Sequence, residues 1–248
     1  MLAPFFMLKE PTMTEQKQEW RFYGRRAGRK LNTTRKEVMD TLLPLLHIEE
    51  ERITKEHNVD PTSLFKAETS KTIFEIGFGS GERLLEMLGK HADTGFIGAE
   101  PFTNGVSSFL KDLHNTYPET LPENIRLYTD DAIPLAQSFQ ENSIDEIHVL
   151  NPDPWHKARH HKRRIINQSN LDIFAKIIKS GGKLIMSTDV PDLAEWMVTE
   201  ASMHDAFEWD AETMKDWIKP PSGWVHTRYE GKRAKGADSM RYLIFTRK

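Results

Sequence analysis

The sequence predicts an α/β fold, a mostly parallel sheet with helices on both faces. Three observations predict it. Short apolar runs recur between residues 72 and 189, separated by segments with apolar residues at helical spacing. A glycine-rich turn, Gly77-Phe78-Gly79-Ser80-Gly81, joins the first run to the first such helix. The residues that end the runs are mostly acids. In a parallel sheet those ends share one edge, where ligands bind at the topological switch point.

The elements follow in order. Thr72 to Gly77 reads as a buried strand, and Glu82 to His91 as a helix with Leu84, Leu85 and Leu88 inward. Gly95 to Glu100 is a second strand and Asn104 to Asn115 a second helix. Asn124 to Thr129 and Ile144 to Leu150 are the third and fourth strands. Gln168 to Lys179 is expected as a helix stopped by Gly181-Gly182, and Lys183 to Asp189 as a fifth strand. Pro191 to His204 is a helix with proline near its first turn, and Ser239 to Arg247 a last strand. Residues 35–57 read as a short helix or an irregular connection. Residues 1–20 are expected to be a mobile extension, and 21–248 one domain with a basic arm over 21–36.

Composition narrows the chemistry. The 248 residues contain no Cys, which removes thiolate nucleophiles, disulfides and Cys-ligated metal sites, and fits a reducing cytoplasm. No apolar run is long enough to span a bilayer, and the short apolar start lacks the features of a signal peptide. Net charge is only −3, but its distribution is uneven. Lys17 to Lys36 holds eight Lys or Arg against one Glu, and Asn151 to Arg164 holds five against one Asp. Local patches of this kind set the field that a polyanion meets.

The glycine turn lacks the spacing of a dinucleotide fingerprint and the Lys of a phosphate loop. Glu75 and Glu82 flank it, and it is expected to carry no cation. This disfavours a pyrophosphate and favours a cofactor bearing positive charge, such as S-adenosylmethionine. Gly77, Gly79 and Gly81 permit positive φ and close approach. Glu100, ending the second strand, is placed to accept from both ribose hydroxyls. Asp131 is placed to accept from the adenine amino group, with a helix N-cap as the competing role for Asp130 and Asp131.

Asn151-Pro152-Asp153-Pro154-Trp155 ends the fourth strand and leads into a basic run. A carboxylate fixed between prolines, an indole and a dense positive field suit the holding of a nucleic-acid base. His156 and His160 lie four apart, but the surrounding cations argue against a bound metal.

These motifs together resemble the tRNA (guanine-N7)-methyltransferases of the bacterial TrmB type. The resemblance rests on Phe22-Tyr23-Gly24-Arg25-Arg26, on Glu75 to Gly79 with Gly81-Glu82, and on Phe96 to Gly98 with Glu100-Pro101-Phe102. It continues through Pro152 to Lys157 with Arg159-His160 and Lys162-Arg163-Arg164, then Thr188-Asp189 and Thr227-Arg228-Tyr229-Glu230. It implies a class I S-adenosylmethionine-dependent methyltransferase, Rossmann-like, with a mostly parallel seven-stranded sheet. It further implies methylation of N7 of a guanosine in the tRNA variable loop, usually position 46. By matching motifs, Glu75, Glu100, Asp131 and Asp153 are the implied cofactor acids, and Asp153 the implied active-site residue. Lys157, Asp189, Thr227, Arg228, Tyr229 and Glu230 are the implied substrate contacts. Asn151 stands where many members carry an aromatic, and Arg228-Tyr229 replaces the commoner Lys-Phe.

For the RNA backbone, Arg159, His160, Lys162, Arg163 and Arg164, with Arg25 and Arg26 of the arm, are the expected contacts. The expected partner is tRNA, with no membrane and no obligatory protein partner, the chain acting as a monomer or homodimer. Two other readings compete. An adenine amino-methyltransferase would carry Asn-Pro-Pro-aromatic, whereas here Asp153 separates the prolines. A non-catalytic RNA-binding subunit would not need intact glycines and acids at the turn.

Overall fold

The computed structural model describes residues 23–53, 58–227, 230 and 240–248. Seven strands form one sheet. β1 (Lys71–Ile76), β2 (Thr94–Ala99), β3 (Ile125–Tyr128), β4 (Ile144–Leu150) and β5 (Ile178–Thr188) run parallel. β6 (Phe207–Trp209) and β7 (Arg241–Arg247) complete it in the order β3-β2-β1-β4-β5-β7-β6, and β7 runs antiparallel to both its neighbours. The expected fold class is the observed one. β6 is a three-residue strand that no alternation in the sequence announces, because pairing with β7 creates it.

Side chains alternate across the sheet as the pleat requires. Ile73, Phe96 and Leu127 face one side, and pack with Leu84 and Leu88 of α3 (Glu82–Lys90) and Phe109 and Leu110 of α4 (Thr103–Thr116). Phe74, Ile97 and Ile147 face the other. They pack with α5 (Ala132–Ser138), α6 (Gln168–Ile177) and α7 (Pro191–Ser202). Each fully buried side chain of this kind contributes about 1.5–3 kcal/mol. Ahead of β1, α1 (Thr33–Thr41) is capped by Asn32, whose side chain accepts from the Arg35 N–H, and α2 (Leu43–Leu46) follows directly. The segment 35–57, read as a short helix or an irregular connection, contains α2 and all of α1 but its first two residues.

One boundary differs from expectation. α6 ends at Ile177, and β5 begins at the next residue, so Gly181-Gly182 lies inside the strand. The cause is tertiary. Asn142 and Ser143 donate their N–H groups to the Lys176 and Ile177 carbonyls at 2.9 Å, which closes the helix early. Lys179 then pairs with Asp145 at 2.8 Å, and the β4–β5 register shifts between Ile144 and Glu146.

The order β3-β2-β1-β4 puts the topological switch between β1 and β4, so a crevice opens beyond Ile76 and Leu150. No helix among the described residues is long and apolar enough to cross a membrane.

Candidate active site

The glycine turn leaves β1 through three left-handed residues, Gly77 (φ 76°), Gly79 (φ 59°) and Gly81 (φ 70°). Only glycine adopts this series without strain. Packing adds a second demand at Gly81, where a Cβ would lie 2.3 Å from the Phe109 ring. At Gly77 and Gly79 a Cβ would meet nothing within 4 Å, so the turn borders open space.

Glu100 ties this turn to the end of β2. Its Oε2 accepts from the Gly79 N–H and its Oε1 from the Phe102 N–H, both at 2.8 Å. The side chain is buried, and burial pushes its carboxyl up, although the two N–H donors and the nearby charges act on it as well. Two residues beyond β3, Asp130 accepts from the Arg26 guanidinium at 2.7 Å. Asp131, not Asp130, caps α5, accepting from the Ile133 N–H at 3.0 Å. Burial likewise pushes the Asp131 carboxyl up.

Beyond β4 the chain turns through two non-glycine residues at positive φ, Asn151 (49°) and Trp155 (46°). Such residues are uncommon and concentrate at functional sites. Between them Asp153 is exposed. The Asn151 N–H donates to the Ser187 carbonyl at 2.8 Å, but its side-chain amide is buried with no partner among the described residues. Arg164 braces the turn from below. It is 2% exposed, donates through Nε to the Pro154 carbonyl at 3.0 Å, pairs with Asp192 and lies over the Trp196 ring. The expected RNA contact at Arg164 is therefore corrected, since this guanidinium is consumed inside the fold. Arg163 is stacked between the Tyr23 and Trp155 rings, 4.7 and 5.0 Å from their centres, and His160 meets Trp155 edge-on. The stack brings the basic arm onto the basic run.

A cavity of about 1020 Å³ opens among these parts. Gly77, Glu100, Asp131, Asn151, Asp153 and Trp155 line it, and Arg25, Lys162 and Arg163 stand at its basic side. The arm crosses the start of α4, where the Arg26 carbonyl accepts from Thr103 and the Asn104 side chain holds Gly28 and Arg29. Lys157 and Arg159 are exposed outside this wall.

Glu75 does not line the cavity. It is 3% exposed and turned beneath the turn, where Arg83 pairs with it at 3.3 Å. The expectation that no cation accompanies the turn is corrected by this contact. Arg83 stands in the first turn of α3 and folds back on β1, a consequence of helical geometry that spacing alone did not reveal. Asp189 ends β5 and is buried outside the cavity wall. Glu230 is buried too, and its Oε2 accepts from the Trp224 indole at 3.3 Å and contacts His226 Nδ1 at 2.7 Å. The Glu230 N–H donates to Thr227 Oγ1 at 3.2 Å. Arg228 and Tyr229 lie outside the described residues. Among the described residues no group of three or more His, Cys, Asp or Glu is arranged to hold a metal ion.

Residues 69–241 match a protein family described as putative methyltransferase. A tRNA (guanine-N(7)-)-methyltransferase of Rhizobium meliloti (strain 1021) is 39% identical over 226 residues, covering 91% of this chain and 94% of the relative. A second, from Brucella anthropi, is 38% identical over 240 residues and is covered along 100% of its length, against 95% of this chain. Among solved structures, the 16S rRNA methyltransferase KamB superposes with a TM-score of 0.54 at 12% identity, over 75% of this chain and 90% of that one. The aminoglycoside resistance methyltransferase NpmB1 gives 0.51 at 16%, over 80% and 91%. At such low identity these two structures speak for the fold alone.

Proposed function

The chain belongs to the family of tRNA (guanine-N7)-methyltransferases, enzymes that use S-adenosylmethionine to methylate N7 of a guanosine in tRNA, and we propose how its own residues divide that work. We infer that the guanosine is the one at position 46, in the variable loop. The observation that carries the reading is the shared cavity, in which the acids of three successive strand ends and the Asn151–Trp155 turn face one space.

The residues suit S-adenosylmethionine. Glu100, Asp131 and Asp153 line the wall opposite its basic side, the glycine turn borders open space, and the Asn151 amide has two buried polar atoms with no partner among the described residues. A buried amide left unpaired costs free energy, which a polar ligand would recover. Glu100 would accept from the ribose hydroxyls through the lone pairs its two backbone donors leave free. Asp131 would accept from the adenine amino group, while Gly77 to Gly81 give close approach. Asp153 would face both cofactor and base. Glu75 supports the turn from beneath. The bound cofactor supplies an electrophilic methyl group on a sulfonium.

Guanine N7 carries an in-plane lone pair and no proton, so no base is needed to create the nucleophile. The protein must align N7 with the methyl group and exclude water. The purine gains positive charge as the new bond forms, and the fixed Asp153 carboxylate stabilises that charge. Trp155 offers a flat face beside it. The target base is splayed out of the folded tRNA to enter. Lys157, Arg159, His160, Lys162 and Arg163, with Arg25 and Arg26, grip the backbone around it, and Asp189 with Thr227 to Glu230 completes the substrate side. Incubating the chain with unmodified tRNA and S-adenosylmethionine, then analysing nucleosides by mass, tests the reading. The expected product is 7-methylguanosine, and aniline cleavage after reduction should map it to position 46. Methylated adenine, or no methylated nucleoside, would overturn it.

A further inference from the structure

Arg83 touches three limbs of the site from underneath. Its Nη1 lies 3.3 Å from Glu75 Oε2, on the strand before the glycine turn, while Arg83 itself opens the helix after it. The same Nη1 lies 3.0 Å from Nδ1 of His148, on the strand that leads to Asp153. Its guanidinium sits 4.9 Å from the centre of the Trp224 ring, whose indole donates to Glu230. The side chain is 6% exposed. Surface solubility does not explain a cation in such a place, and its burial is costly, the more so because its Nε is buried with no hydrogen-bond partner among the described residues.

We propose that Arg83 is a positioning residue that couples the cofactor turn to Trp224 and Glu230 on the substrate side through Glu75, His148 and the Trp224 ring. The inference rests on the function proposed above and extends it to a residue that contacts neither ligand. Through Glu75, Arg83 joins β1 to α3 and so sets the path of Gly77 to Gly81. Through the Trp224 ring it reaches Glu230, which accepts from the Trp224 indole. Ordering either side then makes ordering of the other less costly, which is positive coupling between cofactor and tRNA.

His148 supplies a readout that mere loss of packing would not move. An arginine only donates, so Nδ1 accepts and the Nε2–H donates to Glu146 Oε2 at 2.8 Å. The ring is therefore a neutral imidazole. The charged groups facing it are Glu146 on its own strand, Glu75 on β1 and Arg83 on α3, with Lys71 paired behind Glu146. β5 sets only Ile185 opposite it. Burial pushes its pKa down, and the Arg83 charge pushes in the same direction. Replacing Arg83 by an apolar residue removes that charge and leaves two carboxylates around the ring. His148 should then take up a proton as pH falls and restore a cation beside Glu75.

The experiment titrates S-adenosylmethionine into the full chain by calorimetry and measures KM for unmodified tRNA, from pH 6 to pH 8. In Arg83→Met both cofactor Kd and tRNA KM should rise about tenfold at pH 8 relative to wild type. Both should recover toward wild type at pH 6, and the recovery should vanish in Arg83→Met/His148→Gln. Wild-type values at pH 8, or a loss that ignores pH, would overturn the proposal. Arg83→Lys keeps the charge on Glu75 but replaces the planar guanidinium over the Trp224 ring by a compact ammonium. It should bind cofactor nearly as wild type yet raise tRNA KM, and an unchanged tRNA KM would remove Trp224 from the coupling. A wild-type chain that forms no 7-methylguanosine would refute the proposed function instead, while its cofactor titration would still report on Arg83.

Discussion

The Glu100 carboxylate accepts the Gly79 N–H at 2.8 Å, so the acid that ends the second strand is fastened to the glycine turn that ends the first. Its other oxygen is held by the Phe102 N–H at the same distance. In Glu100→Gln the new amide must set its NH2 against one of these two donors. Leaving one buried N–H unsatisfied costs about 1–3 kcal/mol, and S-adenosylmethionine affinity should fall about 10- to 100-fold by calorimetry. Wild-type affinity would show that Glu100 does not shape the cofactor site.

Asp153 is exposed between two prolines and two left-handed residues. Asp153→Asn keeps the shape of this turn and removes the negative charge. If the charge stabilises the purine as it is methylated, kcat should drop by about 10²-fold or more. Filter binding should find tRNA affinity little changed. Near-normal turnover would exclude a central role for this carboxylate.

Neighbouring cations in the basic run should behave differently. Lys162 is exposed at the cavity rim, whereas Arg164 is consumed by Pro154, Asp192 and Trp196. Lys162→Ala should reduce the slope of log affinity against log salt by about one and leave thermal stability unchanged. Arg164→Ala should destabilise the fold by about 1–3 kcal/mol with the salt slope intact. The reverse pattern would return Arg164 to the RNA surface.

Glu146 should govern acid stability. Burial alone pushes its carboxyl up, but His148 at 2.8 Å and Lys71 at 2.6 Å outweigh this and hold it at about 2, below its ordinary 4.5. A depressed acid stabilises the fold above its unfolded value, and that stability is lost as pH falls toward the folded one. Glu146→Gln should therefore cost about 2–3 kcal/mol at pH 7. The gap between wild type and variant, from urea unfolding, should shrink between pH 4.5 and pH 2. A gap independent of pH would place the effect in packing.

Much of the frame is local and so was legible. Ile144 to Leu150 was read to the residue, because Ile144, Ile147, Val149 and Leu150 make it apolar enough to bury and Asn151-Pro152 stops it at once. Gln168 to Lys179 was read two residues too long, because Asn142 and Ser143, which cap that helix, lie on a distant turn. β6 and α8 (Met214–Ile218) were not read at all. Three residues carry no usable period, and five barely complete a helical turn.

By itself the sequence determined the α/β fold, the glycine turn, the order of the acids and the motifs that mark the family. These are properties of spacing, and backbone geometry converts spacing into position with little outside help. Only the tertiary structure decided what each charge touches. It paired Arg26 with Asp130, stacked Arg163 between Tyr23 and Trp155, buried Arg164, and set Arg83 beneath Glu75. The physical reason is that a charged side chain takes its role from neighbours distant in sequence and from its access to water. Neither is written in the local pattern.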